Sequence, residues 1–346
     1  MKPAQKSELV LQRRCALCGS ETTPLHRQVP DIQVRSPGVW DVLRCGNPVC
    51  ETLTLDPRPS TEQLKDAYRD YYTHDEGVPV PQARGLRRRA RSAIQQRLLG
   101  YPHVDGGTDV LLGHLYALSP ARREIALREM FYVRYVAGGR LLEVGCGNGR
   151  QLERLAQAGW QVEGIDFDEH AASAARRLGI PVRVGELASA NYADDQFDAI
   201  ILSHVIEHVE DPVQLLAECR RILKPGGQLV VATPNANAFG HRWYGRAWLG
   251  LEPPRHLVVF TPRALADAAG RAGIARVSIK TKSIVGAWWF LASVWRRSAL
   301  GDDSRAPLPN GSEYLPLRLR FMALYERLVC AFGRDVGEEI LLDARK

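Results

Sequence analysis

A glycine-rich loop between two acidic residues is the first place in this sequence where chemistry can be expected. Glu143 precedes the loop Gly145-Cys-Gly147-Asn-Gly, and Asp166 closes the next apolar run. Alternate glycines let the backbone adopt positive φ and let a ligand approach it closely. A carboxylate about 20 residues further on is placed to accept hydrogen bonds from a ribose diol. The pattern therefore predicts a nucleoside-containing ligand.

The spacing of this loop separates two classes of ligand. A dinucleotide fingerprint has the pattern G-x-G-x-x-G and holds a pyrophosphate at a helix N-terminus. Here the pattern is G-x-G-x-G, and Glu143 lies two residues before the first glycine. A carboxylate repels a pyrophosphate but attracts an ammonium group. The sequence thus disfavours a nicotinamide dinucleotide and favours a nucleoside that carries an amino-acid end.

Four of the seven cysteines lie in the first 50 residues. They form one C-x-x-C pair and one wider C-x4-C pair, which are Cys15, Cys18, Cys45 and Cys50. Four thiolates from two tight turns predict a closed tetrahedral zinc site on a small β-hairpin ribbon, with no open position for catalysis. The alternative is a set of reduced cysteines without metal.

The order of elements predicts an α/β fold. Short apolar strands alternate with helical patterns from Arg140 onward, as in a doubly wound sheet. Strands are expected at 141–144, 160–166, 180–184, 197–202 and 275–280, with a last strand from Glu338. Residues 223–233 are expected to form a turn that leads into a further strand. The composition, 45% hydrophobic and 25% charged over 346 residues, is that of a globular protein.

Three stretches carry a resemblance to a known family. They are 138–150 (GGRLLEVGCGNGR), 197–212 (FDAIILSHVIEHVEDP) and 221–235 (RILKPGGQLVVATPN). Together they resemble the class I S-adenosylmethionine-dependent methyltransferases over about residues 122–273. The resemblance implies a Rossmann-like sheet of seven strands with an antiparallel last strand. It implies S-adenosylmethionine as the cofactor. The cysteine region is similar to the zinc-binding segment that precedes some bacterial methyltransferases.

The resemblance also implies which residues hold the cofactor. The amino-acid end would be held by Glu143, Gly145, Cys146 and Gly147. The ribose and adenine would be held by Asp166 and Phe167, and the adenine amine by Glu186 and Leu187. Near the methionine and the transferred methyl lie Ser203 and His204. For Glu186 the alternative is an ordinary surface glutamate.

Methyl transfer requires a general base only when the acceptor must lose a proton. The candidates are His204, Glu207, His208 and His256. The first three follow the fourth strand, at the edge where α/β sheets bind ligands. His256 lies in the segment P-R-H-L, which covers the active site in similar methyltransferases. Its alternative role is to shape the loop through a backbone hydrogen bond.

The positive charge is concentrated in one stretch. Without its six arginines the formal charge of +7 would be +1: Arg84, Arg87, Arg88, Arg89, Arg91 and Arg97. Their spacing predicts a basic amphipathic helix, which could be solvated or intramolecular, or could contact an anionic membrane or a nucleic acid. A Trp-rich helix at 283–300 has an interfacial composition, with internal or dimer packing as the alternative. Tyr68, Tyr71 and Tyr72 could pack on the catalytic domain or contact substrate.

We predict three parts: residues 1–55 as a zinc ribbon, 56–118 as a helical linker, and 119–346 as the methyltransferase domain with a helical insertion at about 283–333. The expected acceptor is a small or lipid-linked molecule, such as a sugar, polyketide or glycan precursor, methylated on oxygen or carbon. The alternatives are an RNA methyltransferase and an inactive zinc-ribbon binding protein. The chain starts without an apolar leader and has no apolar run of about 18–20 residues. We therefore expect a cytoplasmic protein, and peripheral contact with the inner face of the membrane is left open.

Overall fold

A computed structural model describes residues 14–32, 34, 36–69, 85–102, 113, 115–283, 286–301 and 316–346. Some predicted positions lie outside the described residues, among them Tyr71, Tyr72 and Arg84. The largest sheet has seven strands in the order β6-β5-β4-β7-β8-β11-β10. These strands are β4 (Arg140–Val144), β5 (Gln161–Asp166), β6 (Val182–Val184), β7 (Phe197–Ser203), β8 (Leu223–Pro234), β10 (Arg276–Lys282) and β11 (Glu339–Arg345). Strands β4 to β8 are parallel, and β11 is antiparallel to both neighbours, as predicted.

Both faces of this sheet are covered by helices. Along β7, Ile200 and Leu202 belong to one buried cluster, whereas Ala199 and Ile201 belong to another on the opposite face. The first face is covered by α6 (Pro212–Ile222) and α8 (Pro262–Arg271), and the second by α4 (Arg150–Gln157) and α5 (Glu169–Arg177). A parallel strand that is buried on both faces is continuously apolar, which explains the unbroken Ala-Ile-Ile-Leu run.

Side-chain caps fix where several helices begin. Asp168, Asp211 and Thr261 each accept a hydrogen bond from a backbone N–H in the first turn of α5, α6 and α8. Ser60 and Gln63 cap each other at the start of α1 (Thr61–Arg69), because each side chain accepts from the other residue's backbone N–H. These reciprocal bonds satisfy donors that a helix N-terminus leaves unpaired.

The N-terminal strands form a second sheet that also includes a short strand of the predicted methyltransferase domain. Its order is β1-β2-β3-β9, with β1 (Thr22–Pro30), β2 (Val39–Cys45), β3 (Leu53–Asp56) and β9 (Val258–Val259). Strands β1 and β2 form the expected hairpin. Strand β9 follows the P-R-H-L segment and pairs antiparallel with β3. The predicted ribbon therefore shares a sheet with residues about 200 positions further along the chain.

The basic helix α2 (Leu86–Leu99) packs by one face on α3 (Pro120–Glu129). Gln95 donates to the backbone carbonyl of Ala126, and Arg91 pairs with Glu129. Arg87, Arg88 and Arg97 are exposed. Part of the basic stretch is thus intramolecular, which is one of the predicted alternatives.

The insertion before the last strand contains two described helices, α9 (Gly286–Ala299) and α10 (Leu317–Ala331), which pack on each other and on α7 (Phe239–Tyr244). The Trp-rich helix α9 has two different sides, because Trp289 and Phe290 are buried whereas Trp288 and Trp295 are exposed. In the described part of the chain, every helix is too short or too polar to cross a membrane.

Candidate active site

The glycine-rich loop joins β4 to α4 at the carboxyl edge of the sheet. Gly145 has φ of 66°, and a β-carbon there would lie 2.5 Å from the Val205 side chain. Gly147 also has positive φ, but a β-carbon on it would meet no atom within 4 Å. The first glycine is therefore required by packing, and the second leaves an open side on the loop where a ligand can approach the backbone.

Two carboxylates face this loop from β4 and β5. The buried Asp166 accepts hydrogen bonds from the Gly147 N–H (2.8 Å) and the Asp168 N–H (3.0 Å). Glu143 is also buried, and its Oε2 has no hydrogen-bond partner among the described residues. Burial, and secondarily the charge of Asp166, raise the pKa of Glu143 to about 8. An unpartnered carboxyl beside an ionised one favours a cation, so the donor set fits an ammonium group.

The other predicted cofactor residues lie in different settings. Phe167 is 58% exposed, and its ring contacts that of Tyr68 with centroids 5.1 Å apart. Glu186 is exposed, whereas Leu187 is buried in the turn that follows β6. The thiol of Cys146 is buried beneath the loop, against Gly164. Ser203 is half-buried at the end of β7.

His204 follows directly at the end of β7, with φ of 53° and its ring between two carboxylates. Its Nδ1 lies 3.2 Å from Glu207 Oε1, and its Nε2 lies 2.7 Å from Glu339 Oε1. Glu339 opens β11, and because β11 is antiparallel its first residue reaches the carboxyl edge of the parallel strands. Arg128 on α3 binds Glu339 through both terminal guanidinium nitrogens, Nη1 and Nη2. Thr233 donates to the other oxygen of Glu207 (2.9 Å).

This arrangement fixes the charge on each group. Burial opposes protonation of His204, but hydrogen bonds to Glu207 and Glu339 outweigh it and raise the pKa of His204 to about 10. Burial likewise opposes ionisation of Glu207, yet the neighbouring histidines hold the pKa of Glu207 at about 2. Glu339 is buried too, and Arg128 and His204 keep its pKa below its usual range. His204 is therefore an imidazolium and both glutamates are carboxylates at neutral pH.

Glu207, His208 and His256 converge on the same place. One ligand atom from each lies within 4.8 Å of the other two. His208 Nδ1 donates to the Arg255 carbonyl (3.0 Å), and His256 Nδ1 donates to the Gly250 carbonyl (2.9 Å). A ring nitrogen that is fixed to a backbone carbonyl leaves the other nitrogen of the ring as an acceptor. The set could accept a proton, or hold a divalent cation.

His208 differs electrostatically from His204. Burial is the largest cause that lowers the pKa of His208 to about 4, so the ring is neutral at neutral pH. The hydroxyl oxygen of Tyr68 lies 2.8 Å from its Nδ1. Tyr68 stands on α1, which precedes the domain, and links the ring of Phe167 to His208. Tyr68, the member of the predicted tyrosine cluster that lies among the described residues, thus contacts the candidate site.

The P-R-H-L segment is held in place from two sides. Its Leu257 N–H donates to the backbone carbonyl of Glu207 (2.8 Å). The fully buried Arg255 binds both carboxylate oxygens of Asp31 at 3.0 Å, and its Nε donates to Glu252 (3.0 Å). Asp31 belongs to the N-terminal segment. That segment therefore determines where His256 lies.

The inner side of α9 forms a wall beside His204. The ring of Trp289 contacts His204 with centroids 6.2 Å apart and contacts Trp248 at 5.8 Å. Further along the same face, Ser293 accepts from a backbone N–H, and Arg296 is fully buried. None of the three guanidinium nitrogens of Arg296 has a hydrogen-bond partner in the part of the chain described here. A group with this many unsatisfied donors favours a ligand with acceptor oxygens.

The four N-terminal cysteines come together as predicted. The sulfur atoms lie 3.8 Å apart in the Cys15–Cys50 pair and 3.4 Å apart in the Cys18–Cys45 pair, and all four are within 4.8 Å of one another. Sulfurs around a tetrahedral zinc are separated by about 3.8 Å, since Zn–S is about 2.3 Å. The Cys50 carbonyl accepts from Thr261 (2.7 Å), which caps α8. The geometry fits zinc and ties the cluster to the catalytic domain.

Several site residues were not predicted from the sequence. Glu339, Arg128 and Thr233 complete the network around His204, and Asp31 anchors Arg255. A local signal existed only for Glu339, because the acidic pair Glu338-Glu339 directly precedes the apolar run Ile-Leu-Leu of the terminal strand. The others depend on contacts between segments that are distant in the chain.

The strand order is that of the predicted Rossmann-like methyltransferase fold, and the glycine loop with its two carboxylates lies at the carboxyl edge of the parallel strands. Residues 112–279 match a family model described as a methyltransferase domain. This part of the chain is therefore a methyltransferase domain, similar to those of the class I S-adenosylmethionine-dependent methyltransferases.

Curated relatives carry the same domain. A ubiquinone biosynthesis O-methyltransferase of Pseudomonas aeruginosa is 36% identical over 139 residues, which cover 38% of this chain and 57% of that protein. A probable S-adenosylmethionine-dependent methyltransferase of Mycolicibacterium smegmatis is 38% identical over 105 residues, or 30% of this chain and 41% of that protein. The chain thus matches about half the length of these relatives. A solved methyltransferase structure from Archaeoglobus fulgidus is 18% identical with a TM-score of 0.44, and covers 68% of this chain and 99% of that one.

Proposed function

We propose that this protein transfers a methyl group from S-adenosylmethionine to an oxygen of a small or lipid-linked acceptor. The observation that carries the proposal is the buried Glu143 beside Asp166 at an open glycine loop, where Glu143 Oε2 has no hydrogen-bond partner among the described residues. The cofactor supplies an electrophilic methyl on a sulfonium. Glu143 would bind its ammonium group, Asp166 its ribose hydroxyls, and the exposed Phe167 ring its adenine. Cys146, Glu186, Leu187 and Ser203 would complete the site.

Two histidines with opposite charge states suggest different roles. His208, neutral and fixed by the Arg255 carbonyl, would accept the proton from the acceptor hydroxyl. His204, charged and held by two carboxylates, would not act as a base but would orient Glu207 and the acceptor electrostatically. His256, held by Gly250, would face the same proton. Environments that push two pKa values apart commonly distinguish such roles.

The acceptor proposal is supported from two sides. The Pseudomonas relative is named for an O-methylation, which favours oxygen over carbon. Buried Arg296, on the same side of α9 as Trp289, has no hydrogen-bond partner for its guanidinium among the described residues, which favours an acceptor that brings oxygen atoms, such as a sugar, polyketide, aromatic acid or glycan precursor. The two tryptophans offer flat apolar faces for its ring.

We further propose that Cys15, Cys18, Cys45 and Cys50 bind one structural zinc ion. Four sulfur ligands leave no open position, so the ion would stabilise the N-terminal segment without entering the reaction. Because that segment also carries Asp31 and β3, the zinc would indirectly hold the Arg255-His256 loop over the site.

The first test is calorimetric titration of S-adenosylmethionine and S-adenosylhomocysteine into the wild type and Asp166→Ala. We expect binding to the wild type and a loss of at least about 100-fold in the variant, since Asp166 combines charge with hydrogen bonding. Asp168→Ala is the matched control, because its carboxylate caps α5 and should leave affinity unchanged. If the wild type binds neither ligand, the proposed function is wrong.

A screen of hydroxylated acceptors then tests the reaction itself. His208→Gln should lower kcat by about 100-fold while leaving the cofactor affinity unchanged. Equal activity in His208→Gln and the wild type would contradict its role as the base. Methylation of RNA, but of none of these acceptors, would instead support the predicted RNA alternative.

A further inference from the structure

Helix α10 has an apolar face that is largely exposed in the part of the chain that the structure describes. Leu319, Ala323 and the carboxyl of Glu326 point inward and are buried. On the other side lie six large residues that are between 51% and 85% exposed: Leu317, Phe321, Leu324, Tyr325, Leu328 and, just past the helix end, Phe332. We call these six the α10 face. A helix that is apolar on both sides requires a second apolar neighbour.

The arrangement around the helix is ordered. At about 100° per residue, the α10 face occupies an arc of about 100°. Exposed Arg318 borders one edge of this arc, and exposed Arg320 and Arg327 border the other. Long arginine side chains beside an apolar stripe can extend to the polar layer while the stripe enters an apolar phase. Flanking arginines of this kind are typical of helices that lie in a membrane interface.

Neighbouring helices extend the same composition. Exposed Trp243 on α7 stacks on Phe239, which contacts Tyr325 of the α10 face. Helix α9 adds exposed Trp288 and Trp295. With about 200 Å² for each large side chain, the α10 face alone exposes about 700 Å², more than a typical monomer shows in one patch. Tryptophan is the side chain most enriched where a membrane meets water.

We propose that the α10 face docks this protein on an anionic lipid bilayer. Neither α9 nor α10 carries an exposed acidic residue, since Glu326 is buried. A second copy placed on the α10 face would therefore set the arginines of one α10 against those of the other, with no exposed carboxylate on either helix to pair with them, which is unfavourable. Anionic headgroups pair with arginines on both flanks at once. The helix lies on the bilayer and does not enter as a span.

The test is flotation of the full-length protein with vesicles of phosphatidylcholine alone and of phosphatidylcholine with phosphatidylglycerol, at low and high salt. We expect the wild type to float with the anionic vesicles, and we expect high salt to weaken this binding by at least about tenfold. Two variants separate the contributions. Phe321→Asn/Leu328→Asn removes apolar area without changing charge, and Arg318→Gln/Arg320→Gln/Arg327→Gln removes charge without changing the apolar face.

Both variants should lose vesicle binding by at least about tenfold and keep the wild-type melting temperature, because every changed side chain is exposed. The matched control is Arg87→Gln/Arg88→Gln/Arg97→Gln on α2, which removes three exposed arginines elsewhere and should float like the wild type. The proposal is overturned if the wild type fails to float with anionic vesicles, or if both α10 variants float like it. If light scattering instead shows a dimer, and Phe321→Asn/Leu328→Asn dissociates it, the α10 face is a contact between copies.

Discussion

The substitution His204→Gln tests whether the charge at the end of β7 stabilises the fold. Glutamine can still hydrogen bond to Glu207 and Glu339, but it carries no charge between the two carboxylates. The pKa of His204 is raised from 6.5 to about 10, and a shift of this size corresponds to about 5 kcal/mol of stabilisation at full effect. The side chain is 32% exposed, so solvent screening reduces the expected contribution to about 2–3 kcal/mol.

The sign of the pH dependence follows from the direction of the shift. A raised pKa means that the contribution is complete below pH 6.5 and is lost as the pH rises to about 10. The lowered pKa values of Glu207 and Glu339 confine the maximum to pH values above about 4.5. Urea unfolding at pH 6 should therefore show the variant less stable by about 2–3 kcal/mol.

At pH 10 the difference between variant and wild type should be close to zero. His170→Gln on the surface of α5 serves as the control and should follow the wild type throughout. A difference that stays constant, or grows, between pH 6 and pH 10 would refute the assignment of a stabilising imidazolium at this position.

Three further changes probe the rest of the site. Asp31→Asn removes one of the two carboxylates that bind the fully buried Arg255 and should cost about 3–5 kcal/mol in urea unfolding, against less than about 0.5 kcal/mol for the control Asp41→Asn, whose partner Arg27 is exposed. Cys45→Ser should abolish zinc binding in metal analysis and lower the melting temperature while cofactor affinity stays within about twofold, and a full zinc content would contradict the site. Gly145→Ala places a β-carbon 2.5 Å from a valine at positive φ and should weaken cofactor binding by at least about tenfold in calorimetry; unchanged affinity would contradict the packing argument.

The sheet and the glycine loop could be predicted because their signals are local. Apolar runs, capping residues such as Thr261 and the glycines at 145 and 147 each determine the conformation of a few neighbouring residues. The alternation of such segments then leaves few possible topologies. The cysteine cluster was predictable for the same reason, since two close pairs in tight turns need only one long-range encounter.

The ionic network around the site could not be predicted in this way. Glu339 reaches His204 only because the last strand runs antiparallel, and Arg128 reaches Glu339 from a helix more than 200 residues earlier. Strand β9 has two residues, so no periodicity marks it, and its pairing with β3 depends on how the two parts pack. The pKa of about 10 at His204 is a property of these distant partners, which explains why the sequence left the choice of base open.

The pairing of β3 with β9 has a consequence for how the chain folds. Strand β3 emerges from the ribosome about 200 residues before β9, the strand with which it pairs, is synthesised. Contacts of such high sequence separation form late and slow folding, because a long loop must close before they form. The edge of β3 stays unpaired in that interval and is open to mispairing. Early metal capture by the cysteines would preserve the hairpin until its partner arrives, which would make zinc supply during synthesis a determinant of the folded yield.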